Sequence, residues 1–185
     1  AQSGGGSGGE VEINAVNGQL TLGGNLAGQG GTNGLGGSFV ADVKQITALD
    51  DVADALAGKG FTERLDLRVR SGSQSLSTGK VVQANQVALS VDGGALVVAG
   101  TVDASGNKGG EVRLFARDDV TLKSSAEILA KATGSGETAK GGKVSIGSTS
   151  GQLDLQSGSR VDVSSAEAEQ HAVAKVGESA QDTAT

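Results

Sequence analysis

Apolar and polar residues alternate along this chain in short runs, and the runs recur as near-identical words. Gly8-Gly9-Glu10-Val11-Glu12-Ile13 returns as Gly109-Gly110-Glu111-Val112-Arg113-Leu114 and as Gly141-Gly142-Lys143-Val144-Ser145-Ile146, with a weaker copy at Gly36-Gly37-Ser38-Phe39-Val40. A second run, Gly18-Gln19-Leu20-Thr21-Leu22, starts nine positions after Gly9, and its counterpart Gly151-Gln152-Leu153-Asp154-Leu155 starts nine after Gly142. Asp119-Val120-Thr121-Leu122 fills the same slot one residue earlier. A third run, Thr101-Val102-Asp103-Ala104-Ser105, matches Arg160-Val161-Asp162-Val163-Ser164 and resembles Ala126-Glu127-Ile128-Leu129-Ala130. Alternation with period two puts every second side chain on one face, so each run predicts a short strand with one buried and one wet side.

Three such strands cannot bury their apolar faces alone. The module repeats over 28 residues from Gly9 to Gly37 and over 32 from Gly110 to Gly142, within the roughly 20–45 residues of solenoid repeats. Stacking equivalent strands in parallel, about 4.8 Å apart, closes a continuous core. The expected fold is all-β: a right-handed parallel β-helix (β-solenoid) over residues 1–165, with about six or seven coils. Residues 65–70, 87–91 and 96–98 supply strands of further coils. Val11, Ile13, Leu20, Leu22, Val112, Leu114, Val144, Ile146, Leu153 and Leu155 are expected to point inward. Glycines at the corners are expected to supply the positive φ of sharp turns.

One stretch follows another period. Ile46, Leu49, Val52, Ala53 and Leu56 fall on one face at helical spacing. This predicts a short α-helix near 48–57, inserted at about 46–60 between two coils and packed on the solenoid wall. Thr47 and Asp50 are spaced for a capping box, and Gly58 is a natural stop. Residues 166–185 lack strand alternation and read as an irregular or capping tail. Natural solenoids cap both ends, and neither end here carries a recognisable cap, so a segment of a longer solenoid is expected.

Composition sharpens this picture. With 32 Gly, three Phe and no Cys, Pro, Met, Trp or Tyr, the core must be narrow, layered and aliphatic. Collagen is excluded by the lack of Pro and of a Gly-X-Y period. A formal net charge of −6 gives no electrostatic support to nucleic-acid binding, and none is expected. Absence of Cys fits either a reducing compartment or a secreted chain that avoids disulfides, and is compatible with threading unfolded through an outer-membrane pore, where premature cross-links would obstruct passage. No run approaches the ~18 apolar residues of a membrane helix. The opening Ala1-Gln2-Ser3-Gly4-Gly5-Gly6 has neither the basic nor the apolar region of a leader; if the protein is exported, its targeting element is expected to lie outside these residues or to have been removed.

The modules resemble the filamentous haemagglutinin family, large exoproteins exported by two-partner secretion in Gram-negative bacteria. The likeness is carried by Val91-Asp92-Gly93-Gly94-Ala95-Leu96-Val97-Val98-Ala99-Gly100-Thr101-Val102-Asp103-Ala104-Ser105-Gly106, by Gly110-Glu111-Val112-Arg113-Leu114-Phe115-Ala116-Arg117-Asp118-Asp119-Val120-Thr121-Leu122, and by Gly158-Ser159-Arg160-Val161-Asp162-Val163-Ser164. It is good over about 65–164 and moderate before that. The resemblance implies a right-handed β-helical shaft, an outer-membrane secretion partner, a place at the extracellular cell surface, and a role in adhesion, aggregation or biofilm. The family's secretion-recognition domain has no counterpart among these residues, and shaft repeats do not specify a receptor. Lateral or end-to-end self-association is a further partner expectation.

Reactive chemistry is sparse. The single histidine, His171, stands in the tail and reads as solvated; one His without Cys builds neither a Cys/His dyad nor a multi-His zinc site. Asp50-Asp51 sits at the expected helix start, where the dipole favours negative charge. Asp118-Asp119 sits at a turn. Structural roles are expected for both pairs, with no catalytic, cofactor-binding or metal-ligating residue and no enzyme activity. The expected function is a structural or adhesive shaft. Two alternatives stay open: a carbohydrate-active β-helix enzyme, which would need clustered acids and aromatic platforms, and a flat-faced binding solenoid such as an ice binder, which would need a regular Thr ladder.

Overall fold

The computed structural model describes residues 5–135 and 139–166. Strand β1 (Glu10–Leu20) and strand β2 (Ser38–Ile46) come first, followed by helix α1 (Leu49–Leu56). Four three-strand coils follow: β3 (Arg64–Val69), β4 (Gln74–Leu76) and β5 (Val81–Gln83); β6 (Gln86–Val91), β7 (Leu96–Val98) and β8 (Thr101–Asp103); β9 (Glu111–Ala116), β10 (Val120–Leu122) and β11 (Glu127–Leu129); β12 (Lys143–Ser148), β13 (Leu153–Leu155) and β14 (Arg160–Asp162). Equivalent strands pair in parallel into three sheets, ordered β1-β2-β3-β6-β9-β12, β4-β7-β10-β13 and β5-β8-β11-β14. The chain is thus a right-handed parallel β-solenoid with one short helix.

The recurring words stack on one another. Val112 lies between Val87 and Val144, and Leu114 between Leu89 and Ile146. Val120 lies between Leu96 and Leu153 on the second face, and Ile128 between Val102 and Val161 on the third. These inward rows make the core, in which Leu67, Leu89, Leu96, Leu114, Leu122 and Ile128 are fully buried. Near the first layers the core widens enough for two aromatic rings: Phe39 and Phe61 meet edge to face with centroids 6.0 Å apart. Gly28 leaves the room, since a Cβ there would stand 2.7 Å from the Phe61 ring.

Helix α1 forms where the apolar period predicts it. Leu49, Val52, Ala53 and Leu56 are its buried residues, and they pack against β4 and β5, so the helix covers the ends of the second and third sheets. Asp50 Oδ1 accepts the Ser77 N–H at 2.8 Å, and Lys80 Nζ reaches Asp54 Oδ2 at 2.6 Å. The expected capping box does not form. The N-cap is Ala48, without a side-chain cap, because the Thr47 hydroxyl accepts instead from Gln19 Nε2 at 3.2 Å. Gly58 does end the helix, in the left-handed region at φ 67°.

Three further expectations change. The first face has six strands but each other face only four, which makes about five turns; six layers hold for the first face alone. In the β2 layer the chain runs directly from Ile46 into α1, so no second-face strand exists there for residues 18–22 to join. Leu20 therefore stays on the first sheet, opposite Ile46, after a register shift between Ala15 and Gln19. Leu153 and Leu155 lie opposite the buried Val120 and Leu122, yet they are 50% and 52% exposed because no described layer follows theirs. Finally, corner glycines do supply positive φ as expected at Gly72, Gly79 and Gly158, whereas the glycine pairs that open first-face strands do not have it. They are required by close approach: a Cβ on Gly37 would stand 2.7 Å from Gly9 O, and one on Gly110 would stand 2.7 Å from Ala104 O while also colliding with Asn85 O.

Candidate interaction surfaces

The outward positions of the first sheet, six strands wide against four in each other sheet, form the broadest outward face. In register they read Glu10, Ser38, Arg64, Gln86, Glu111 and Lys143 along one row, and Glu12, Val40, Asp66, Ala88, Arg113 and Ser145 along the next. Opposite charges fall within reach along and across the strands. Arg64 pairs with Asp66 at 2.6 Å, Arg68 with Asp92 at 2.8 Å, and Arg113 with Glu111 at 2.9 Å. Arg70 grips Asp42 with two parallel bonds of 2.6 and 2.7 Å across one layer. The Arg70 hydrogen bond holds the Asp42 carboxyl below its ordinary value, and the Arg113 hydrogen bond, aided by Lys143, does the same for Glu111. Such half-exposed pairs contribute little stability each. Their effect is to leave a mixed, largely self-neutralised face rather than a single-sign field. Phe115 interrupts it: 44% exposed, it lies over Gly147 on the next layer, where a Cβ would collide with the ring.

The two aspartate pairs are spent on structure. Asp50 holds β4 through the Ser77 N–H, and Asp50 and Asp51 occupy the first helical turn, where the dipole favours them. Asp118 accepts from Arg117 Nε at 3.0 Å, and Asp119 Oδ1 accepts the Gln152 N–H of the next coil at 2.8 Å. On the third face Asp103 and Asp162 turn the chain by accepting the N–H of Ser105 and Ser164. The Ser164 hydroxyl, its N–H and then Arg160 hold Asp162 below its ordinary pKa. His171 lies outside the described residues. Among the described residues no three His, Asp or Glu side chains gather as metal ligands would.

A small apolar crevice opens between the C-terminal end of α1 and β5, lined by Leu56, Phe61, Leu65 and Val82 without a charged side chain. The pairs that cross layers were missed in the sequence because their partners sit about a whole repeat apart: Asp42 and Arg70 are 28 positions distant. Opposite charges separated by one module length were the signal that could have found them. No family model, curated protein or solved structure matches the chain.

Proposed function

We propose that this chain is a structural and adhesive shaft segment of a large secreted bacterial surface exoprotein, similar to the filamentous haemagglutinin family. In this reading it reaches the cell surface of a Gram-negative bacterium through an outer-membrane secretion partner and serves attachment, aggregation or biofilm. The observation that carries the reading is the interchangeability of layers: β6, β9 and β12 stack the same inward rows in unbroken register. A shaft needs such layers, whereas an active site needs one layer unlike the others with acids, bases or donors converging on a cleft. Asp42 holding an arginine, and Asp103 and Asp119 holding turns, support a structural use of these carboxylates. Lack of Cys supports passage as an unfolded chain.

The test has two arms. Joined to a two-partner secretion domain in a Gram-negative host, the chain should appear outside the cell only when the outer-membrane partner is present. The purified chain should give background rates on a panel of polysaccharides and esters. A rate above background that disappears on replacing one acid, such as Asp66 or Asp92, would replace the shaft reading with the enzymatic one.

A further inference from the structure

Two of the three phenylalanines lie in the core, Phe39 and Phe61 at 0% and 3% exposed, and the third stands outside. Phe115 occupies an outward position of the first sheet, in a row that reads Asp42, Arg68, Ser90, Phe115 and Gly147. It is the only exposed aromatic ring among the described residues, and both of its neighbours in the row are small. Gly147 gives one side of the ring a seat, since a Cβ there would stand 2.7 Å from Phe115 Cδ1. Ser90, on the other side, leaves a hollow.

That hollow is an open cup of about 290 Å³, bounded by Ser90, Asp92, Phe115, Arg117 and Thr149. Its rim is held by the solenoid ladder. Asp92, Arg117 and Thr149 each donate their backbone N–H to the layer before, at 2.9, 2.8 and 3.1 Å, so the polar groups are placed before any ligand arrives. The charges at the rim are already paired: Asp92 accepts from Arg68 at 2.8 Å, and Arg117 donates to Asp118 at 3.0 Å. Each keeps further hydrogen-bonding capacity, through the second carboxylate oxygen of Asp92 and the terminal nitrogens of Arg117. The cup therefore offers a ring face, donors, acceptors and hydroxyls, with no net field of either sign.

One ligand class matches this set. A pyranose ring has a face of C–H groups, which stacks on an aromatic ring, and a rim of hydroxyls that both donate and accept. A small ion would find each rim charge already answered by its partner, and a purely apolar ligand would strip water from Asp92 and Arg117 without replacing it. We propose that the cup at Phe115 is a subsite for one pyranose unit of a neutral glycan, stacked on Phe115 and hydrogen-bonded by Asp92 and Arg117. The subsite rests on the adhesive part of the shaft reading and gives it a ligand class; binding there makes and breaks no covalent bond.

Nuclear magnetic resonance on the whole chain reads the site directly, because its three phenylalanines are the only aromatic rings besides His171. The probes are neutral gluco-, galacto- and manno-configured tetrasaccharides, each raised to about 10 mM so that millimolar affinity is visible. At least one should shift the Phe115 ring resonances and leave those of the buried Phe39 and Phe61 in place. Phe115→Leu keeps apolar bulk over Gly147 and removes the aromatic face. It should weaken binding about tenfold, read from the amide shifts of Arg117 and Thr149, with the melting midpoint unchanged, and Phe115→Tyr should restore it. No shift at Phe115 with any of the three probes overturns the proposal, as does binding undiminished in Phe115→Leu. Tighter binding of a sulfated tetrasaccharide that added salt abolishes would make this an electrostatic anion site and equally overturn it. None of these failures touches the shaft reading, which rests on export and the absence of turnover.

Discussion

At the scale of single residues, the solenoid is limited by how closely backbones must stack. Gly110→Ala should destabilise the fold by roughly 2–3 kcal/mol, since backbone atoms, not flexible side chains, occupy the space. Gly9→Ala, in the same word but with nothing within 4 Å of the added Cβ, should be neutral or stabilising by a few tenths of a kcal/mol. Urea titrations of the two variants side by side test the contrast. Protonation acts through Asp42, Glu111 and Asp162, all held below their ordinary values of 3.8, 4.5 and 3.8. A carboxyl with a depressed folded pKa contributes stability that is complete above its unfolded pKa and lost as pH falls through the folded one. The melting temperature should therefore be flat above about pH 5 and fall below it. Asp162→Ala should lower the neutral plateau by about 1 kcal/mol, through the lost Ser164 bonds, and flatten the acid slope.

At the scale of elements, α1 closes two sheet ends, and its buried face is what holds it there. Leu56→Asp should cost a few kcal/mol, from a lost buried side chain and an unpaired buried charge, and a melt that does not move would mean that face does not pack. Ala48→Ser should add about 1 kcal/mol, because the N-cap has extended geometry and no side-chain acceptor; thermal melts read both. The helix was legible because Leu49, Val52, Ala53 and Leu56 keep a 3.6-residue period, and the strands because Val112/Leu114 and Val144/Ile146 keep a period of two. Where residues 18–22 go was not legible: their word is that of a second-face strand, and only the helix in the adjacent layer removes the partner it would need. Local alternation reports which face is buried, not which neighbour is present. The capping box failed similarly, since Gln19 engages Thr47 from another layer. For the charged first face, the alternation marked the wet positions, but the pairing of Asp42 with Arg70 arises only once the coils stack.

At the scale of the whole molecule, stability should behave as a sum over layers. Excising residues 110–141 would bring β12 directly onto β6, with Val144 on Val87 and Ile146 on Leu89. The shortened chain should still unfold cooperatively, with a urea m value lower by roughly a fifth. Loss of folding would mean that the coils are not interchangeable. Interchangeability also creates a problem of identity. Aliphatic rows that fit any neighbour do not tell a strand which neighbour is its own, so a collapsing chain has many nearly equivalent ways to skip a rung. The edge-to-face contact of Phe39 with Phe61, seated over Gly28, is unlike any other joint among the described residues. It acts as an address: one place where only one pairing fits, from which every later rung can be counted. A chain with Phe61→Leu would keep the grammar of stacking and lose its starting point.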